Sequence, residues 1–414
     1  FPLRYDAEPI TKGSFEWSGR APRQLFEDLR GLGKYGPEDV VVQVNHPRDT
    51  ILGYFNNYNW NPDLGEAEAS DSLLLNPEGP EFGPEKFAYD FDAIEIYNAK
   101  RYELLRHYRV PEVLPPGPLP ENVPPAGTIL RDEAGKVAYP GGLDDWFTML
   151  AQGRIYTAMG NSDSHGPEDE PGVPRTFVPV SNDQPGRIPE LEVVAALKNQ
   201  RALPTSGPFS RVSVKGDGGC FDRRSGTQLG HDRCGMGEVA RAARGRVTVE
   251  VETQIAPWMS IDRVSFIVGG ETVATVRGDN ESLAKVTQDV QLSRDGFVVV
   301  EVAGSKSLFP VVLPRELPSI QVSNALGSIA GSFGFSLDPF GNLKPSEVTV
   351  ALPYAFTNPV FIDVDGNGQY DAPGLGRRAL TAELGPKVPG LRPDLRAVPS
   401  LAKIFALFNC GHGH

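Results

Sequence analysis

Cysteine is scarce, with three residues in a chain of 414, so disulfide pairing reduces to one question. Cys220 and Cys234 bracket a Gly-rich loop and form a bridge if the compartment is oxidising, with Cys410 left over. No run of 18 apolar residues occurs, which excludes a membrane-spanning helix. No basic stripe is present, and the net charge of −13 argues against nonspecific nucleic-acid binding. A secretory leader and an initiator Met are both missing; the chain opens F-P-L-R-Y-D, which points to a processed product or a fragment. Internal repeats and low-complexity tracts are also absent.

Gly (45 residues) and Pro (38 residues) are abundant, and this favours turns, short strands and long connections over a helical bundle. Helical spacing is expected over Ala21 to Leu32, Ala99 to Tyr108, Asp144 to Gln152 (with Asp144 as N-cap) and Pro189 to Asn199. Val40 to Arg48 reads as a buried strand ending in a loop, and the continuous Val run suits a parallel strand covered on both faces. Phe91 to Tyr97, Ile155 to Met159 and Thr176 to Val180 are further strand candidates. Tyr54, Phe55, Tyr58 and Trp60 either pack a long connection or face a substrate, and His107 reads as surface. Pro111 to Pro125 reads as a stiff linker or lid.

From Phe209 onward helical patterns vanish. Arg246 to Glu252, Val264 to Val268, Thr272 to Val276 and Phe297 to Val302 read as strands, with a hairpin at Gly269-Gly270. The expected organisation is an α/β part over 1–208, an antiparallel β-sandwich over 209–385 and a Pro-rich tail over 386–414.

Two stretches carry chemistry. In M-G-N-S-D-S-H-G, residues 159–166, Asp163 and His165 lie two apart, and on extended backbone they point to one side. A carboxylate and an imidazole together suit Zn, Mn or Fe; the alternative is a polar loop with local turn bonds. His46 falls just past the end of the Val-rich strand, where α/β folds place their chemistry. Glu95 stands near the end of the next strand, as a ligand, an acid behind the ligands or an ordinary strand-end charge. The second stretch is D-V-D-G-N-G-Q-Y-D. Asp363, Asp365, Asn367, the backbone of Gln369 and Asp371 match calcium-loop positions 1, 3, 5, 7 and 9, with Gly368 at the sharp turn. Position 12 is Gly374 and not Glu, so a weak calcium site and a plain Asx-turn loop both remain open.

The order N-H-P-R (Asn45 to Arg48), D-A-I-E-I-Y-N (Asp92 to Asn98), G-N-S-D-S-H (Gly160 to His165) and P-T-S-G-P-F (Pro204 to Phe209) resembles the PHP (polymerase and histidinol phosphatase) metallohydrolases. The likeness is to their CehA/McbA-like branch. A-P-W-M-S-I-D-R-V (Ala256 to Val264) and T-N-P-V-F-I-D-V-D-G-N-G (Thr357 to Gly368) resemble that branch's C-terminal sandwich. The resemblance implies a partial PHP-type distorted β/α barrel followed by the sandwich. It makes His46, Asp163 and His165 ligands in a cluster of up to three divalent transition-metal ions. Glu95, Asn161 and Arg48 would shape the pocket around them.

The family's early H-x-H and D-H motifs have no counterpart here. The resemblance therefore implies a site completed by an N-terminal fragment of the same protein. The expected activity is hydrolysis of a small-molecule phosphoester, ester, amide or carbamate by metal-activated water. The competing expectation is a non-catalytic secreted, periplasmic or cell-surface protein that reuses the fold for adhesion or assembly.

Overall fold

The computed structural model describes residues 21–49, 52–69, 83–114, 119, 122–132, 135–165, 170–278, 283–316 and 348–375, together with two short strands, Tyr5–Asp6 and Ser14–Phe15. The Pro-rich tail, with Cys410, lies outside the described residues, as does Gly166.

The protein is mixed α/β, with more of its regular secondary structure in strands than in helices. Three parallel strands form the centre of the first part, in the order Gln43–Val44, Ala93–Asn98, Thr157–Asn161. All six residues of the middle strand are buried, as expected for a strand covered on both faces. The ladder on the first strand is only two residues long, because His46 takes φ +29° and turns the chain before Pro47. Among the described residues the three strands form an open sheet and no closed barrel.

Helix Pro22–Arg30 starts with Pro in its first turn and buries Phe26. Helix Gly142–Ala151 buries Leu143, Trp146, Phe147, Met149 and Leu150, and Trp146 Nε1 donates to Tyr156 O at 2.9 Å. This helix begins earlier than the sequence suggests, so Asp144 is not the N-cap. Its carboxylate instead accepts from His107 N at 2.6 Å. The helix expected over Ala99 to Tyr108 shrinks to a single 3-10 turn, Tyr102–Leu104. Ala99 there has φ +47°, and Lys100 is buried with its Nζ bonded to Leu313 O at 2.8 Å. That tertiary contact overrides a helical pattern worth only tenths of a kcal/mol per residue. His107 is correspondingly not on the surface; its side chain is 12% exposed and its Nδ1 accepts from Gly141 N. Phe55, Tyr58 and Trp60 are buried core residues.

The second part packs a three-stranded sheet, Phe209–Lys215, Arg246–Gln254 and Lys285–Gln291, against a ten-stranded one. Burial alternates along the inner strand Arg246–Gln254, and Val249 and Val251 meet Phe266, Val298, Val300 and Ile362 in a shared core. The hairpin Arg263–Val268/Glu271–Arg277 turns through Gly269 (φ +57°) and Gly270 (φ +89°), as the Gly-Gly pair requires. One pairing is parallel, Glu238–Arg241 beside Val360–Asp363, so the sandwich is not wholly antiparallel. Cys220 and Cys234 form a disulfide, both fully buried.

The two parts are stitched together. Strands Arg175–Phe177 and Leu203–Thr205 join the ten-stranded sheet, antiparallel, through Tyr354–Phe356. Asn358, fully buried, accepts from Ala158 N and donates to Ala158 O and Ala202 O, all at 2.8–2.9 Å. Thr176 Oγ1 takes up both Gly160 N and Gly160 O at 2.8 Å.

Candidate functional site

The C-terminal ends of the three parallel strands bring His46, Glu95, Asn98, Asn161 and Asp163 together. A register shift between Glu95 and Tyr97 bulges the middle strand, and Glu95 sits at that irregularity. Glu95 is 3% exposed, and its Oε2 accepts from His46 N at 2.6 Å and from Asn98 Nδ2 at 3.2 Å. Burial raises the Glu95 carboxyl above the usual carboxylate range. Hydrogen bonds from His46 N–H and the Asn161 side chain oppose that shift, while the nearby Asp163 charge adds to it. His46 Nδ1 is buried and has no hydrogen-bond partner, which in a native interior calls for an explanation.

Asp163 and His165 meet, but not as neighbours on an extended strand. The strand ends at Asn161, and Asp163 has φ +48°, so the same-side alternation does not apply. A turn brings His165 Nδ1 to 2.7 Å from Asp163 O and 3.3 Å from Asp163 Oδ1. The His165 side chain is 78% exposed. Arg48 stands apart from this group. It is 5% exposed, with Nε and Nη2 on Asp145 at 2.5 and 2.8 Å, Nη1 on Asn56 and Nη2 on Trp60 O. Its donors are taken by Asp145, Asn56 and Trp60 rather than by the strand-end group.

Among the described residues, His46, Glu95, Asp163 and His165 do not supply three ligand atoms within 4.8 Å of one another. One such group elsewhere, Cys220, His231 and Glu238, includes a disulfide sulfur and so offers no thiolate. The other, Asp295, Asp365 and Asp371, lies at the acidic loop. Asp363 is fully buried there and accepts from Gly366 N at 2.5 Å and Gly368 N at 2.7 Å. Burial raises its carboxyl above the ordinary range against those two bonds. Asn367 Nδ2 donates to Asp371 at 2.7 Å, and Gln369 N donates to Asn367 Oδ1 at 2.7 Å. Sequence reasoning missed Asp295, whose carboxylate accepts from Val364 N at 2.7 Å and Asp371 N at 3.0 Å. It lies 70 residues before Asp365, and no local pattern marks it.

Compared with protein-family models, curated proteins and solved structures, the chain matches none.

Proposed function

We propose that the strand-end cluster is part of the centre of a metal-dependent hydrolase of the PHP type, acting on a small-molecule phosphoester, ester, amide or carbamate. The observation that carries this reading is the orphaned, buried Nδ1 of His46, a residue whose backbone N–H donates to the Glu95 carboxylate at the end of a parallel sheet. A buried imidazole nitrogen with no partner fits a transition-metal ligand. The donors fit only as a share of a site, since a catalytic zinc takes three protein ligands. The remaining ligands would come from an N-terminal fragment of the same protein.

In that site His46, Asp163 and His165 would hold the Zn, Mn or Fe ions. When bound, such ions supply Lewis acidity toward water and toward the charge that develops on the substrate. Glu95 holds the His46 backbone through its N–H, and Asn98 and Asn161 hold Glu95. At the distal loop, Asp295 joins Asp365 and Asp371 where the calcium motif lacks its twelfth-position acid, which supports calcium there.

The disulfide and the acidic loop also support the second reading, a secreted or surface protein with a structural role. Elemental analysis and intact mass of native protein, beside the His46→Ala variant, separate the two. The hydrolase reading expects bound transition metal that the variant loses, together with hydrolysis of p-nitrophenyl phosphate or p-nitrophenyl acetate. Native protein free of transition metal and inert to both esters would overturn it.

A further inference from the structure

A cleft of about 460 Å³ lies between the segment Glu170 to Arg175 and the sandwich loop that carries Trp258. Its size falls within the range of small-molecule sites. The walls are mostly apolar: Val173, Ile255, Met259 and Val312 line it beside Ser206 and Gln254, while Trp258 (40% exposed) and Val311 (60% exposed) form an open apolar rim. Two charged side chains enter it. Glu170 is already engaged, by Lys100 Nζ and by Leu313 N at 2.7 Å. Arg175 is not: its guanidinium donates to Gly172 O at 3.0 Å and lies over the Phe177 ring, and no carboxylate among the described residues is within ion-pair reach. Burial alone holds its pKa below the ordinary arginine value, with no anion raising it. The pair Glu170–Lys100 cancels, so among the described residues the cleft keeps one uncompensated positive charge.

We propose that this cleft binds an organic carboxylate with an apolar body, the acid on Arg175 and the body against Trp258, Met259 and Val311. A guanidinium presents two parallel N–H donors that match a carboxylate, and a partly desolvated cation gains more from such a partner than an exposed one does. Val173, Ile255 and Trp258 surround it with surface that takes an aryl or alkyl chain and offers little to a polar one. The site stands whether or not the strand-end cluster is hydrolytic.

Isothermal titration of the full chain with 4-phenylbutyrate and with its uncharged amide tests this. The acid is expected to bind at least tenfold more tightly than the amide, the scale of a charge-assisted hydrogen bond. Arg175→Gln should remove that difference and leave amide binding unchanged. Equal binding of acid and amide to the wild type, no binding of either, or a preference that survives in R175Q would each overturn the proposal. The wild-type comparison needs no variant, so it holds even if R175Q disturbs the Gly172 turn.

Discussion

Replacing Arg48 by methionine should destabilise the protein by about 3–5 kcal/mol, the cost of leaving one partner of a buried ion pair alone. Asp145 is fully buried and faces Arg48 with both carboxylate oxygens, at 2.5 and 2.8 Å. Methionine fills much of the volume but donates nothing, so the buried Asp145 carboxyl loses its partner. Trp60 O loses its Arg48 donor as well, at about 1–3 kcal/mol for an unsatisfied buried acceptor. The double variant Arg48→Met/Asp145→Leu removes both charges together. It should recover most of the loss and retain the part that belongs to Trp60 O, leaving it about 2–3 kcal/mol more stable than R48M. Urea unfolding of the wild type, both single variants and the double variant closes the cycle. A loss below about 1 kcal/mol in R48M, the level of a solvated surface pair, would show that the fork is not structural and would return Arg48 to the candidate site.

Glu95→Gln should gain stability relative to the wild type as pH rises. The folded pKa lies above the unfolded one, so the wild type is unpenalised below about pH 4 and loses stability as pH climbs through the folded value. Urea midpoints from pH 4 to 8 that run parallel for the two proteins would refute that. Calcium at ten times its Kd should stabilise the protein by about 1.4 kcal/mol, and EGTA should lower the unfolding midpoint; Asp295→Asn should abolish the response. Reducing the Cys220–Cys234 bridge, which closes a 14-residue separation, should cost about 3 kcal/mol, read as a shift in urea midpoint with and without dithiothreitol.

Much of the candidate site was legible because it follows from local patterns. The Val-rich run, F-D-A-I-E-I-Y and the stretch before Gly160 each read as strands, and parallel strands deliver their C-terminal residues to one edge. That places His46, Glu95, Asn161 and Asp163 together without any knowledge of packing. Residues whose roles depend on distant partners were not legible. Arg48 looks like a pocket cation in N-H-P-R, yet its partner lies 97 positions away on a helix. His165 follows from a backbone angle at Asp163 that an S-D-S-H pattern does not announce. Asp295 precedes the calcium motif by too much chain to be read with it.

The side chains of Asn358 and Thr176 occupy the outer hydrogen-bonding groups of the Thr157–Asn161 strand at Ala158 and Gly160. That flank is sealed against further growth of the sheet. Among the described residues no strand lies beyond Gln43–Val44 on the opposite flank. Among the described residues, the flank beside Gln43–Val44 is therefore the one left open to an additional strand, on the His46 side of the candidate centre.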